Sequence, residues 1–204
     1  MKRALSKSLS MSDLILASAS PRRKELLEQI GVKFTCLPMD VDESRLPQEN
    51  AVAYVQRLAQ VKAMAAISQA NGLPVLGSDT IVLLQGELLG KPQDEKAAIA
   101  MLEALSGKSH QVVTGISLCG QLNGDLKVLN KVVTTKVHFT KLSSVQILAY
   151  VKTGESMDKA GAYGIQGKAA VFIESIEGSY SNVVGLPLLE TSRLLEQFNV
   201  PIWQ

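Results

Sequence analysis

The chain of 204 residues is poor in aromatic residues: Phe, Tyr and Trp together make up 4% of it. So few aromatic side chains argue against a platform on which single-stranded nucleic acid stacks. The formal net charge is +2, without a run of Lys or Arg, which is too mild for a protein that tracks a phosphate backbone. We therefore expect no nucleic-acid partner. A small phosphorylated ligand remains compatible, because it needs only a few local cations.

Cysteine and histidine are scarce as well, with two of each. Cys36 and Cys119 lie far apart and form neither a CxxC metal spacing nor a disulfide framework, so we expect buried free thiols in a reducing compartment. The two histidines, His110 and His138, stand alone and are interpreted as structural. They cannot supply a convincing Ser-His-Asp or Cys-His arrangement, so covalent catalysis is disfavoured.

Long apolar runs are absent too, and no segment approaches the roughly 20 residues that span a bilayer. Residues 1–10 are basic and rich in serine but lack the apolar core of a signal peptide. We expect residues 1–12 to be a disordered extension, with Met11 as an alternative start. The expected location is the cytoplasm, without a membrane partner.

The remaining sequence, residues 13–204, alternates short apolar runs with helical patterns and is expected to form a single domain. The Asn123-Gly124-Asp125 turn joins two long strand-like runs into a hairpin, so the predicted fold class is α/β with a mixed sheet flanked by helices. The predicted strands are 14–17, 32–38, 75–84, 88–89, 111–122, 126–140 and 170–176. The predicted helices are 21–30, 48–70, 94–105, 143–151 and 187–198.

The start of the first predicted helix breaks a rule of helix design. Its first turn carries Arg22 and Arg23, although a helix N-terminus is already electropositive and favours acidic residues. Ser18 and Ser20 precede the arginines, and Pro21 stands at the first helical position. This combination is typical of a phosphate site, because a serine-rich turn, free amides and two guanidinium groups can all donate hydrogen bonds to an anion. The alternative is a solvated arginine pair on a surface helix.

Two acidic positions suggest a metal or a catalytic base. Asp79 lies inside an apolar strand, where a carboxylate is costly unless it is paired or bound to a metal. Its alternative role is to accept backbone hydrogen bonds at a strand bend beside Gly77. Glu43 lies in an acidic loop, which is either a solvated turn or a second carboxylate for Mg²⁺.

Two lysines and a glycine-rich stretch complete the candidate site. Lys62 lies on the apolar face of the long helix, where it either snorkels or reaches the site. Lys91 is presented by a stiff loop between Gly90 and Pro92, although loop lysines are usually solvated. Residues 161–167 allow close backbone approach to a ligand, and Gln166 within them could pair with a base edge. From the residues alone, we infer a Mg²⁺-dependent hydrolase of phosphate esters or anhydrides.

Motifs spread from about Leu14 to the C-terminus resemble those of the Maf (septum-formation inhibitor-like) nucleotide pyrophosphatases. The N-terminal extension carries none of them. In chain order the matching motifs are Ser18-Ala19-Ser20-Pro21-Arg22-Arg23, Glu43, Lys62, Ser78-Asp79-Thr80, Gly90-Lys91-Pro92, Lys159–Gly167 and Gly185-Leu186-Pro187-Leu188. The resemblance implies an elongated two-lobed α/β fold with a deep central cleft, often homodimeric. It also implies cleavage of nucleoside triphosphates between the α and β phosphates with a divalent cation, Mg²⁺ or else Mn²⁺ or Co²⁺.

The resemblance also implies a role for each matched position. Asp79 would activate the attacking water. Base selection would fall to Arg22, Thr80 and Gln166, and phosphate or metal binding to Ser18, Arg22, Arg23, Glu43, Lys62, Lys91 and Asp79. Residues 158–167 are similar to the branch that hydrolyses dTTP and UTP rather than 7-methyl-GTP. Links of the family to modified nucleotides and to arrest of cell division leave an alternative, a nucleotide-binding regulator of septum formation that needs no turnover.

Overall fold

The structure, a computed structural model, describes residues 12–204. Over these residues the strands are β1 (Leu14–Leu16), β2 (Phe34–Cys36), β3 (Val75–Leu84), β4 (Glu87–Leu89), β5 (Ser109–Leu122), β6 (Asp125–Phe139) and β7 (Ile173–Glu177). The α-helices are α1 (Pro21–Gln29), α2 (Ala51–Ala66), α3 (Glu95–Leu105), α4 (Ser144–Val151), α5 (Tyr180–Val184) and α6 (Leu188–Gln197). Within this part of the chain, no helix is both long and apolar enough to cross a membrane.

The seven strands found in residues 12–204 form one mixed sheet. Its order is β2-β1-β3-β5-β6-β7, and β4 pairs with β3 beside this path. β1 runs parallel to β2 and β3, whereas β4 is antiparallel to β3 and β7 is antiparallel to β6. The predicted α/β class with a mixed sheet is therefore confirmed. The elongated two-lobed shape with a central cleft stays a prediction.

Several element boundaries differ from the predictions for local reasons. The long helix begins at Ala51 rather than near Gln48, because Gln48 has a left-handed backbone (φ +60°) and the Asn50 side chain caps the helix by accepting from the Ala53 amide. β7 begins at Ile173, since residues Lys168–Phe172 form a 3₁₀ helix. The Ser143 cap of α4 is confirmed, and with Gln146 it forms a full capping box.

The chain divides into two compact units. The first comprises the described residues up to Asp79, Thr114–Val132 and Gly185–Gln204, and the second comprises Thr80–Val113 and Val133–Val184. One core of the first unit contains Ile15, Val75 and small residues of α2, whereas the core of the second is aromatic and aliphatic. The single domain over residues 13–204 stays a prediction. The predicted extension and the Met11 start lie outside the described residues, except Ser12, whose hydroxyl is hydrogen-bonded to that of Thr35.

Two glycines let α2 lie directly against the sheet in the first unit. A Cβ at Gly77 in β3 would stand 2.1 Å from the Ala59 carbonyl oxygen, and one at Gly115 in β5 would stand 2.4 Å from that of Val55. Any side chain at either position would push the helix away. Gly77 faces Ala59 and Ala63, and Gly115 faces the backbone of Val55 and Gln56, so helix and strand approach each other closely. This close approach brings Lys62 of α2 within reach of Asp79 in β3.

The two cysteines are free, but they are not both buried. Cys119 is buried in the core of the first unit, as expected, whereas Cys36 is exposed. The prediction of a buried thiol at Cys36 was wrong because β2 is a three-residue strand at the edge of the sheet, and Cys36 is its last residue.

Candidate active site

The site begins where β1 ends beside β3. These strands are parallel with Leu16 opposite Leu76, so Ser18 and Asp79 both follow the paired residues at the same edge. The carboxyl ends of parallel strands are where α/β proteins bind ligands. Ser18 is buried, and its Oγ accepts a hydrogen bond from the Ser20 amide at 3.2 Å. Ser20 occupies the N-cap of α1 as predicted, but within the described residues its side chain makes no capping bond.

Arg23 is fixed on α1 by two further contacts. Its Nε donates to the Gly185 carbonyl at 2.9 Å, and its Nη1 donates to Ser18 Oγ at 3.1 Å. Burial has the largest influence on the pKa of the Arg23 guanidinium and lowers it. Among its charged neighbours, Asp79 and Glu43 raise this pKa and Arg22 lowers it, each to a lesser degree. An arginine side chain stays protonated in proteins even when its pKa is lowered. The lowered pKa therefore means that Arg23 is a partly desolvated cation, which a bound anion would stabilise. Arg23 is therefore not the solvated surface arginine of the alternative interpretation.

Lys62 joins the two predicted acidic residues. Its Nζ lies 2.7 Å from Asp79 Oδ1 and 2.7 Å from Glu43 Oε1. The side chains of Lys62 and Asp79 are 12% and 13% exposed, so their ion pair is largely removed from water, whereas that of Glu43 is 59% exposed. Lys62 is thus an ion-pair partner rather than a snorkelling lysine. Asp79 is held by an ammonium group, and Glu43 is not merely part of a solvated turn.

The loop that carries Glu43 is tied to α2 by two residues that the sequence reasoning missed. The Tyr54 hydroxyl donates to the Glu43 carbonyl at 2.8 Å, and Arg57 Nη2 donates to the Ser44 carbonyl at 3.0 Å. Arg57 also pairs with Glu49 through its Nε at 2.7 Å. Tyr54 and Arg57 are three residues apart and share one helix face, which was the available signal. One helix therefore supplies both Lys62 and the anchors of the loop that meets it.

Arg22 lies on α1 in the first unit and is partly buried. The remaining predicted residues, Thr80, Lys91 and Gln166, belong to the second unit. Thr80 follows Asp79 directly in β3 and is partly buried, whereas Lys91 and Gln166 are exposed. The Gly161 amide donates to the Gly90 carbonyl at 3.0 Å, so the loop of Lys91 is bonded to the glycine-rich segment that carries Gln166. Within this unit the structure thus links two segments that the sequence placed about 70 residues apart.

Comparison with known proteins identifies the family. The model of the Maf-like protein family matches residues 13–198. The chain belongs to the Maf family. It is 51% identical over 197 residues to the dTTP/UTP pyrophosphatase of Saccharophagus degradans, covering 95% of this chain and 92% of that one. It is 52% identical over 189 residues to the protein of the same name from Yersinia pestis, with 92% and 94% covered, and 51% identical over 190 residues to that of Escherichia coli O157:H7, with 93% and 94% covered.

Glu43 and Asp79 are the residues of this Maf chain that could hold a divalent cation together with a substrate. Glu43 and Asp79 each place an oxygen 2.7 Å from the same Lys62 nitrogen, so the two carboxylates converge on one cationic centre. Over residues 12–204, no three His, Cys, Asp or Glu side chains come together as a metal site. Carboxylate oxygens suit Mg²⁺, which commonly takes one or two of them and completes its shell with phosphate oxygens and water.

The histidines of the Maf chain contact structural partners. His110 is buried, its Nε2 lies 2.7 Å from the Tyr163 hydroxyl, and its ring meets Phe139 edge to face. Burial lowers the pKa of His110 to about 4, with a smaller lowering by His138, so this imidazole is neutral near pH 7. His138 lies 2.7 Å from both Glu177 and Ser109. These contacts support the interpretation of both residues as structural.

Proposed function

We propose that this Maf protein hydrolyses dTTP and UTP, and modified pyrimidine nucleotides of the same class, to the monophosphate and pyrophosphate. The observation that carries the proposal is the Arg23, Lys62, Glu43 and Asp79 cluster beside the N-terminus of α1. Partly buried cations next to two carboxylates suit a polyphosphate that brings its own divalent cation. Relatives named dTTP/UTP pyrophosphatase, about half identical over most of the chain, support the choice of substrate.

The cations and hydroxyls of the site would bind the phosphate chain. We assign this role to Ser18, Arg22, Arg23, Lys62 and Lys91. Ser18 Oγ already accepts from two N–H groups, so its own proton is available to a phosphate oxygen. Positive charge fixed in place before reaction stabilises the charge that develops on departing pyrophosphate, and such preorganised groups contribute several kcal/mol in comparable sites, on the order of 3 for a single donor.

Asp79 would serve as the proton acceptor for the attacking water. Its carboxylate is held in a rigid strand by Lys62, and its second oxygen can accept a proton while the first keeps that contact. Glu43 and Asp79 would hold the divalent cation, Mg²⁺ or else Mn²⁺ or Co²⁺. When bound, that cation supplies positive charge to the phosphate oxygens. Everything else in the step is done by side chains of this chain.

Base selection would fall to Arg22, Thr80 and Gln166. A glutamine amide offers a donor and an acceptor side by side, which matches the adjacent N3–H donor and O4 acceptor of uracil and thymine.

Two further proposals concern assembly and location. The family resemblance supports a homodimer, and the free thiols support a location in the cytoplasm.

Incubation with a panel of nucleoside triphosphates and Mg²⁺ tests the proposal directly. We expect pyrophosphate, not orthophosphate, as the first product, with UTP and dTTP cleaved faster than CTP, ATP and GTP. Product identity by ion chromatography decides which bond breaks. Release of orthophosphate alone would overturn the assignment, and nucleotide binding without any product would favour the regulator instead.

Replacement of Gln166 with glutamate tests base recognition. The carboxylate cannot donate to O4 of uracil and repels it, whereas the exocyclic amine of cytosine could donate to it. We expect kcat/KM for UTP relative to CTP to fall by about tenfold or more, the effect of losing one hydrogen bond and gaining a repulsion. The same substitution at exposed Gln197 on α6 serves as the control. An unchanged ranking of nucleotides would remove Gln166 from the recognition site.

A further inference from the structure

Gln166 sits in a tight turn whose backbone is closed by one hydrogen bond. The Gly167 amide donates to the Gly164 carbonyl at 3.1 Å, so Ile165 and Gln166 are the two central residues of a β-turn. The Gln166 side chain is exposed. A turn at the surface with an exposed polar tip is ordinarily mobile, so what holds its two ends decides how well the Gln166 amide is positioned.

Glu155 holds the end of the turn that follows Gln166. Its Oε2 accepts from the Lys168 amide at 3.0 Å, and its Oε1 accepts from the Tyr150 hydroxyl at 3.3 Å. A Cβ at Gly167 would stand 2.0 Å from Glu155 Oε1, so the backbone of Gly167 lies directly on the carboxylate. Gly167 has φ −100°, which every residue adopts readily. A side chain at position 167 would therefore displace the Glu155 carboxylate, whereas the backbone conformation itself does not require glycine.

Lys159 holds the preceding end. Its Cε would stand 2.6 Å from a Cβ at Gly164, so its aliphatic stem packs against the start of the turn. Its Nζ donates to the Glu155 carbonyl at 2.6 Å and to Asp158 Oδ1 at 2.6 Å. Glu155 and Lys159 are thus bonded to each other, and between them they hold both ends of the turn. Two of the glycines that the sequence suggested would admit a ligand, Gly164 and Gly167, instead admit these two side chains.

We propose that Glu155 and Lys159 are positioning residues that fix the Gln166 turn, and that Glu155 thereby determines selectivity for the pyrimidine base. This inference rests on the proposed function, in which Gln166 meets the base. Hydrogen bonds weaken steeply with distance and angle, and a recognition group must be held within about 0.5 Å of its productive place. Loosening the turn would affect discrimination between bases more than the chemistry at the phosphates.

Two single variants and their combination test the role of Glu155. Glu155→Ala removes the carboxylate, and Gly167→Ala pushes a methyl group against it; each is expected to lower kcat/KM for UTP relative to CTP by about tenfold, with a smaller change in kcat. In the Glu155→Ala background the added methyl group has room, so the double variant should lose little beyond Glu155→Ala alone. Glu174→Ala, an exposed carboxylate on β7, is the matched control and should keep the wild-type ratio.

The outcomes separate this inference from the function on which it rests. A wild-type chain that releases no pyrophosphate from UTP or dTTP would overturn the proposed function. A wild-type chain that prefers UTP while folded Glu155→Ala keeps that preference would overturn only the positioning role. An equal loss for every nucleotide, or losses that simply multiply in the double variant, would also overturn it, because a merely structural residue behaves so. Thermal unfolding monitors folding throughout, and Glu155→Gln, which keeps the size of the side chain, replaces Glu155→Ala if that variant does not fold.

Discussion

Replacement of Asp79 with asparagine is expected to lower kcat for pyrophosphate release by about 10³-fold, the contribution typical of a well-placed general base. Asparagine has the size of aspartate, and its amide oxygen can still accept from Lys62 Nζ, which lies 2.7 Å from Asp79 Oδ1. What the amide cannot do is take up the proton of water. We therefore expect affinity for the nucleotide, measured by calorimetry in the absence of turnover, to change by only a few-fold.

The control for this variant is Asp125→Asn. Asp125 is exposed at the first position of β6, far in sequence from the cluster, and its replacement removes the same charge. It should leave both kcat and affinity at wild-type values. If Asp79→Asn retains a kcat within about tenfold of wild type while unfolding normally, another group takes the proton, because losses from removing a general base commonly exceed that.

The sequence singled out Arg22, Arg23 and Asp79 as candidate site residues because each of them breaks a local rule. Arg22 and Arg23 at a helix N-terminus and Asp79 inside an apolar strand are each unfavourable alone. Such local conflicts persist where another group compensates for them. The structure shows the compensation: Asp79 is bonded to Lys62, and Arg23 is bonded to Ser18 and Gly185.

The packing of α2 against β3 could not be predicted from the sequence. The close approach of α2 to β3 depends on Gly77 meeting Ala59, and that pairing is visible only once the helix is placed on the sheet. Because successive residues of a strand alternate between faces, Gly77 and Asp79 point to the same side. The glycine that admits the helix therefore also brings Lys62 to Asp79, an arrangement that no pattern along the chain reports.

The contacts that exposed loops make could not be predicted from the sequence either. The acidic loop is ordinary in composition, yet Tyr54 and Arg57 bind its carbonyls and so set where Glu43 points. Similarly, glycines in residues 161–167 suggested room for a ligand, whereas Lys159 packs on Gly164 and Glu155 packs on Gly167. Glycine signals close approach, but the sequence does not say of what. In both loops, the residues that the sequence did not reveal are those that hold a predicted side chain in place, not the predicted side chain itself.

The second large effect is expected from Arg23→Lys, which keeps the positive charge and removes the planar fork. The guanidinium donates from separate nitrogens to the Gly185 carbonyl at 2.9 Å and to Ser18 Oγ at 3.1 Å, and this fixes its plane at the N-terminus of α1. A lysine ammonium is a compact point charge that cannot reproduce that set of directions. Pyrophosphate assays with UTP should show kcat/KM lowered by about 10²-fold, since a preorganised donor to developing charge is typically worth that much.

Arg193→Lys, at an exposed position on α6, provides the matched control and should leave kcat/KM unchanged. The comparison separates charge from geometry, because both variants keep the net charge of the chain. A kcat/KM for Arg23→Lys within about threefold of wild type would mean that positive charge alone suffices, against the loss expected for a displaced fork. The bonds from Arg23 to Ser18 and Gly185 would then stabilise the fold without shaping the phosphate site. A large loss with unchanged thermal unfolding would place the cause in the direction of the guanidinium donors.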